Sequence, residues 1–133
     1  MKLAIVDDNK LEQELIFNTL RTYEHERNIS LDISSYSDGN SFLNTYVPGD
    51  FDLIFMDIYL NELNGIDIVR KIRQMDSKVM IVFLTTSKEY IFEAAPFHFF
   101  DYILKPFVST QIFHVLDDAL ALLPEQEAEL SFE

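Results

Sequence analysis

The sequence predicts an α/β fold: a doubly wound sheet of five parallel strands with five helices. Three observations predict it. Short apolar runs alternate with stretches of helical spacing along the chain, the pattern of repeated strand–helix units joined by right-handed crossovers. The run Phe-Asp-Leu-Ile-Phe-Met-Asp at 51–57 has five apolar residues in seven, too short for an ordinary helix and apolar enough for a strand buried on both faces. Four such runs end abruptly on distinctive polar residues: 3–6 on Asp7-Asp8, 51–56 on Asp57, 79–84 on Thr85-Thr86 and 102–104 on Lys105-Pro106. Open parallel sheets bind ligands outside the carboxyl ends of their strands, so one edge would receive three acids, a hydroxyl and an ammonium.

Each element has its own justification. Leu3 to Val6 is the first strand, and Asp7-Asp8-Asn9 offers N-cap residues. Leu11, Leu15, Ile16, Leu20 and Tyr23 recur at helical spacing, predicting a helix over 10–23, with 24–28 a polar connection. Residues 29–36 alternate apolar and polar, the pattern of a half-solvated edge strand. Ser37-Asp38-Gly39-Asn40 is a turn, followed by a short helix around Phe42, Leu43 and Tyr46 that Val47-Pro48-Gly49-Asp50 stops. After the 51–57 strand comes a loop, then a helix over 65–75 burying Ile66, Val69 and Ile72. Residues 79–84 are the most apolar strand and hence central. A short helix over 87–95 is closed by Pro96, and 99–104 is the last strand. Ser109 is the expected N-cap of a final amphipathic helix carrying Ile112, Leu116, Ala119, Leu120 and Leu123.

Composition bounds the class of function. At 133 residues, 48% of them hydrophobic, the chain makes one domain with a real core. It has no Cys, which excludes disulfides and thiolate metal sites. No apolar run reaches the ~18–20 residues that span a bilayer, and the N-terminal run is too short for a signal peptide, so a cytoplasmic location is expected. Ten basic residues against 23 acidic ones give a net charge of −13, which argues against direct nucleic-acid binding and favours cations or basic partner surfaces. Residues 124–133, with Glu at 125, 127, 129 and 133, read as an acidic tail or the start of a linker to a second, output domain, leaving 1–123 as the folded unit.

The chemistry follows from the strand ends. Three converging carboxylates repel one another unless a cation sits among them. All-oxygen ligands with neither Cys nor His nearby suit Mg²⁺, or Mn²⁺, rather than zinc. Mg²⁺ keeps several waters and takes few carboxylates, which fits Asp8, Asp57 and one backbone carbonyl, with Asp7 acting through a metal-bound water. Capping alone asks for one acid, so the second Asp tips the balance toward a ligand role. A carboxylate is also a credible nucleophile toward phosphorus, and phosphoryl transfer needs positioning and charge stabilisation more than acid–base work. Asp57 is thus the candidate phosphoacceptor. Lys105 is a point charge on the phosphoryl oxygens, and Thr85 a hydroxyl donor to one of them. His25, His98 and His114 are scattered with no ligand spacing. Phe97-His98-Phe99-Phe100 reads as core packing; a partly exposed patch there would instead mark a dimer or partner surface.

Asp7-Asp8, Asp57, Thr85 and Lys105-Pro106 resemble, in order and in position, the motifs of the response-regulator receiver domain of two-component systems. The resemblance covers residues 1–123. Asp57-Ile58-Tyr59-Leu60, Leu63-Asn64-Gly65-Ile66-Asp67, Phe83-Leu84-Thr85-Thr86-Ser87 with Glu89-Tyr90, and Phe100 to Phe107 are similar to receivers linked to LytTR-type DNA-binding domains. It implies a flavodoxin-like strand order 2-1-3-4-5, Tyr59 as the residue lending the backbone carbonyl to Mg²⁺, a cis bond before Pro106, and Tyr102 as a switch aromatic coupled to Thr85. It implies a sensor histidine kinase as phosphodonor, a homodimer through the last two helices and last strand, and control of transcription through an attached DNA-binding domain. The chain would catalyse its own phosphorylation and dephosphorylation without being a turnover enzyme. Two features qualify the match: Thr86, where many receivers have a smaller residue, and bulky Tyr59 beside the acceptor, which would shield an acyl phosphate from water.

Three other readings compete. A stand-alone or degenerate receiver would act only as a protein-interaction module. An aspartate-nucleophile phosphatase of the haloacid-dehalogenase type wants Asp-x-Asp after its first strand, whereas this chain has Asp7-Asp8-Asn9. A flavodoxin-like FMN binder needs a Ser/Thr-rich phosphate loop there, and two Asp would repel the phosphate.

Overall fold

A computed structural model describes residues 1–61 and 63–124. Five parallel strands form one sheet in the order β2-β1-β3-β4-β5, as expected. They are β1 (Lys2–Val6), β2 (Asp32–Tyr36), β3 (Leu53–Met56), β4 (Met80–Thr85) and β5 (Asp101–Leu104). Helices α1 (Lys10–Arg27) and α5 (Ser109–Leu122) cover one face, while α2 (Gly39–Asn44), α3 (Gly65–Met75) and α4 (Ile91–Ala94) lie on the other. Alternate strand residues feed the two cores. Ala4, Ile54, Met56, Ile81 and Phe83 pack toward α3, whereas Leu3, Ile5, Phe55, Val82 and Leu84 pack toward α1 and α5. Burial on both faces is why β3 and β4 read as near-continuous apolar runs.

Several boundaries differ from the sequence reading, each for a local reason. Helix α1 runs four residues past Tyr23, to Arg27, because its polar last turn is not a connection: Arg27 reaches Asp117 of α5 at 3.1 Å, and Asn28 ends the helix at φ 55°. Its buried stripe is Gln13, Ile16, Leu20 and Tyr23; Leu11 and Leu15, expected on that stripe, are exposed. They lie about 100–140° around the helix from Ile16, out of reach of the sheet. Strand β2 begins at Asp32, not Ile29, because β1 offers its first partner there: Lys2 pairs with Asp32, and Met1 accepts the Asp32 N–H at 3.0 Å. The stretch before β5 likewise joins the sheet late, the Phe100 N–H donating to Ile81 O at 2.6 Å and Asp101 lying opposite Val82.

The helix over 87–95 shrinks to the single turn 91–94, continued by a 3₁₀ turn at Ala95–Phe97 that accommodates Pro96. Ser87 is tied into a turn instead, its hydroxyl accepting the Glu89 N–H at 3.2 Å. Val108, not Ser109, is the cap of α5. Gln111 folds back to accept the Val108 N–H at 2.9 Å, so a side chain inside the helix does the capping. Helix α3 has the expected bounds, capped by Asn64, whose side chain accepts the Ile66 N–H at 2.7 Å. Of the aromatic stretch, Phe97, Phe99 and Phe100 are half-buried against the two cores, Phe99 meeting Phe83 edge-on and Tyr102 at a tilt, while His98 is exposed. The bond between Lys105 and Pro106 is cis. The tail expected at 124–133 lies, from residue 125 onward, outside the described residues.

Candidate functional site at the carboxyl ends of the strands

Strand order reverses at β1, which has β2 on one side and β3 on the other. The crevice therefore opens beyond the ends of β1 and β3, where Val6 pairs with Met56 and the next residues are Asp7 and Asp57. Sheet pairing continues one step past both strands, with the Asp7 N–H donating to Tyr36 O and the Asp57 N–H to Val6 O, each at 3.0 Å. On the far side, the Lys105 N–H donates to Thr85 O at 2.7 Å. Strand pairing thus sets Asp7, Asp57, Thr85 and Lys105 side by side at one edge.

Asp7, Asp8 and Asp57 each offer a carboxylate oxygen, and these oxygens lie within 4.8 Å of one another. Asp7 and Asp57 are buried, Asp8 half-buried. The Lys105 ammonium sits 2.8 Å from Asp7 Oδ2, 3.7 Å from Asp57 Oδ2 and 3.9 Å from Glu12 Oε2. Burial alone would push the Lys105 ammonium down; the hydrogen bond to Asp7 and the charges of Asp57, Asp7 and Glu12 outweigh it and hold its pKa above the usual lysine value. Asp57 goes the other way. Burial raises it, Lys105 only partly compensates, and the Asp7 and Asp8 charges raise it further, to about 6. One hydrogen bond supports its carboxylate, from the Tyr59 N–H at 3.2 Å. The result is a buried carboxylate poorly satisfied by protein, beside a half-buried Asp8. An all-oxygen donor set of this kind can hold a hard divalent cation.

Thr85 is fully buried, and its hydroxyl is the one buried side-chain polar atom without a hydrogen-bond partner among the described residues. An orphaned buried hydroxyl costs on the order of 1–3 kcal/mol, so a native site that keeps one calls for a reason. Tyr102, half-buried, donates its hydroxyl to Ser87 O at 2.5 Å and packs 5.9 Å from Phe83. Tyr59, two residues after Asp57, is 43% exposed, and its ring meets Tyr90 edge-on at 5.6 Å. Thr86 is exposed.

Three residues of this neighbourhood escaped the sequence reading. Glu12 sits in the first turn of α1, where an acid is expected for the helix terminus alone, so nothing distinguished it. Gln13 is a buried amide within the apolar stripe of α1. Gly65 begins α3 against the backbone of the acceptor: a Cβ there would lie 2.0 Å from Asp57 O. Only a residue without a side chain lets α3 start this close to Asp57. The Gly65 signal was the Asn-Gly pair ahead of an amphipathic run.

A profile of the response regulator receiver domain matches residues 3–117. The chain belongs to that family. Among its relatives, the receiver is 34% identical over 116 residues to Protein MrkE of Klebsiella pneumoniae, covering 87% of this chain and 42% of that protein. It is 31% identical over 127 residues to the transcriptional regulatory protein YpdB of Escherichia coli K12, covering 96% of this chain and 50% of that one. The receiver thus spans half or less of the length of these curated relatives. The crystal structure of the response regulatory domain of MrkE superposes with a TM-score of 0.77 at 33% identity, covering 91% of this chain and 96% of that chain. The receiver domain of the sensor histidine kinase PA1611 from Pseudomonas aeruginosa, solved with magnesium coordinated in its active-site cleft, shares the fold at a TM-score of 0.76 and 23% identity, covering 90% of this chain and 97% of that chain. No helix among the described residues is long and apolar enough to cross a membrane.

Proposed function

We propose that this receiver accepts a phosphoryl group on Asp57 from the phosphohistidine of a sensor kinase, with Mg²⁺ or Mn²⁺ bound, and passes the change to a transcriptional output domain. The observation that carries the reading is the meeting of three carboxylates within 4.8 Å beside a single ammonium. Asp8, Asp57 and the Tyr59 carbonyl would hold the cation, with Asp7 acting through a bound water. The cation supplies charge neutralisation that lets a phosphoryl group approach an acidic edge. An Asp57 carboxylate oxygen attacks phosphorus, an O–P bond forms, the P–N bond to the kinase imidazole breaks, and the imidazole leaves with its electron pair. Lys105 stabilises the phosphoryl oxygens, moving from Asp7 toward the group it already neighbours at 3.7 Å from Asp57. The orphaned Thr85 hydroxyl donates to a phosphoryl oxygen, which supplies the partner it lacks. Dephosphorylation is attack of water on the same phosphorus, returning the Asp57 carboxylate and inorganic phosphate. Tyr59, with Tyr90 against its ring, restricts that water.

Output follows from Thr85. Its movement toward the phosphoryl group frees space beside β4 and β5, and Tyr102 leaves Ser87 O to fill it. That changes the surface of α4, β5 and α5, where Phe92 is 89% exposed and Leu104 40%. A second copy is one partner for this face, and its charge sets a condition. From Glu89 to Glu133 the sequence has one Lys or Arg, Lys105, which is buried in the acid site. A two-fold contact would set acids opposite acids.

Intact mass after incubation with Mg²⁺ and acetyl phosphate, beside an Asp57→Asn variant, tests the central step. One added phosphoryl group, absent from the variant, is expected. No adduct with acetyl phosphate or a kinase, together with no binding of beryllofluoride, overturns the reading and leaves a receiver used for its surface.

A further inference from the structure

We infer that Gln13 is a positioning residue for the acidic pair, holding the Asp7–Asp8 peptide through the Asp7 carbonyl and thereby setting the cation affinity. The inference rests on the reading of the acid cluster as a cation site. Gln13 occupies a position that helical spacing reserves for an apolar residue: the rest of its buried stripe is Ile16, Leu20 and Tyr23. Burying an amide there costs free energy unless its hydrogens are used. They are used on Asp7, beside Asp8, and on the end of β2. Gln13 Nε2 donates to Asp7 O at 2.5 Å, and reaches Ser37 Oγ at 3.1 Å and Tyr36 O at 3.2 Å.

The Asp7 end is the informative one. The Asp7 N–H already donates to Tyr36 O, Oδ1 accepts the Asn9 N–H at 2.9 Å, and Oδ2 accepts Lys105. Gln13 fills the remaining position, the backbone carbonyl. A peptide unit is planar, so fixing the Asp7 carbonyl fixes the direction of the Asp8 N–H and the place of the Asp8 Cα. Asp8 is the least buried of the three acids, and among the described residues no hydrogen bond or ion pair holds its carboxylate, which leaves its backbone to place it. Gln13 therefore orients a ligand without touching the cation.

Mn²⁺ binding followed by EPR, with thermal melts in parallel, tests this. Gln13→Met keeps the length and apolar stem and removes both hydrogens. Gln13→Asn keeps the amide on a stem one carbon too short to reach Asp7 O, and serves if the Met variant melts near the titration temperature. Both should weaken Mn²⁺ on the order of tenfold, the scale of lost support behind a metal ligand, at temperatures where the protein is fully folded. Ser37→Ala, which removes a Gln13 partner and leaves the Asp7 contact, should stay within about twofold, as befits a group that supports no ligand. A role in packing alone would lower melting temperatures and leave the dissociation constant unmoved, and that result overturns the inference. Equal losses in Ser37→Ala and Gln13→Met overturn it too, by showing a general loop strap. A wild-type chain that takes up no Mn²⁺ sensitive to Asp57→Asn overturns the cation reading itself, a distinct result seen before any Gln13 variant is compared.

Discussion

Two aspartates in this receiver are almost equally buried, Asp57 at 7% exposure and Asp76 at 8%, and their carboxyl groups shift in opposite directions. Burial raises both. Asp76, between α3 and β4 at the opposite edge of the sheet, accepts the Tyr46 hydroxyl at 2.6 Å and the N–H groups of Lys78, Val79 and Gly49 at 3.0, 3.2 and 3.3 Å. Those four donors outweigh burial and hold its pKa below the usual carboxylate value. Asp57 has one N–H, a lysine shared with Asp7, and two acidic neighbours, and it rises to about 6. Depth is the same and donor supply differs. A fully satisfied carboxylate is a structural clamp, whereas a starved one retains the capacity to take a cation or a phosphoryl group.

The largest effect should come from breaking the clamp. Asp76→Ala leaves the Tyr46 hydroxyl and three N–H groups without their acceptor and should cost about 3 kcal/mol in urea unfolding at pH 7. The sign with pH is fixed by the lowered pKa. The stability Asp76 contributes is present above its unfolded value, near 3.8, and is lost as pH falls through the lower folded value. The variant's deficit should therefore shrink in acid.

Next comes the starved site. Asp57 has a raised folded pKa, so ionising it opposes folding. That penalty is absent below the unfolded value, grows between there and about 6, and is complete above. Asp57→Asn should stabilise the cation-free protein by roughly 2–3 kcal/mol at pH 8 and by little at pH 4. Added Mg²⁺ should raise the melting temperature of the wild type and leave the variant unmoved. A variant less stable than wild type at pH 8 would show that Asp57 is better satisfied than its single hydrogen bond indicates.

Tyr46→Phe sharpens the comparison by removing one donor of four. It should cost about 1 kcal/mol, and the Asp76 carboxyl, followed by NMR, should titrate at higher pH than in the wild type. The smallest effect concerns the acidic face of α4, β5 and α5. Any self-association induced by beryllofluoride should strengthen when salt is raised from about 0.05 to 0.5 M, because screening relieves repulsion between like charges. Weakening with salt would point to opposite charges across the contact.

The sheet, the alternation of its layers and the polar residues at its strand ends can be read from apolar patterning alone. Strands buried on both faces must be apolar along their length, so where each run stops and a polar residue begins is visible without coordinates. Asp7, Asp8, Asp57, Thr85 and Lys105 were legible for that reason. How those residues are satisfied emerges only in the folded chain. That Lys105 lies nearer Asp7 than Asp57, that the Thr85 hydroxyl is left alone, and that Tyr46 and Gly49 reach Asp76 depends on distances between residues far apart in the chain. The stripe of α1 shows the same division. Leucines at 11 and 15 suit a helix, but which side faces the sheet is set by packing, and packing chose Gln13 over both. Gly65 was readable as a helix start, yet its closeness to the Asp57 backbone exists only once α3 has folded onto β3. Periodicity is a local property and survives in a sequence; hydrogen-bond supply is a property of what the fold brings near, and it separates Asp57 from Asp76.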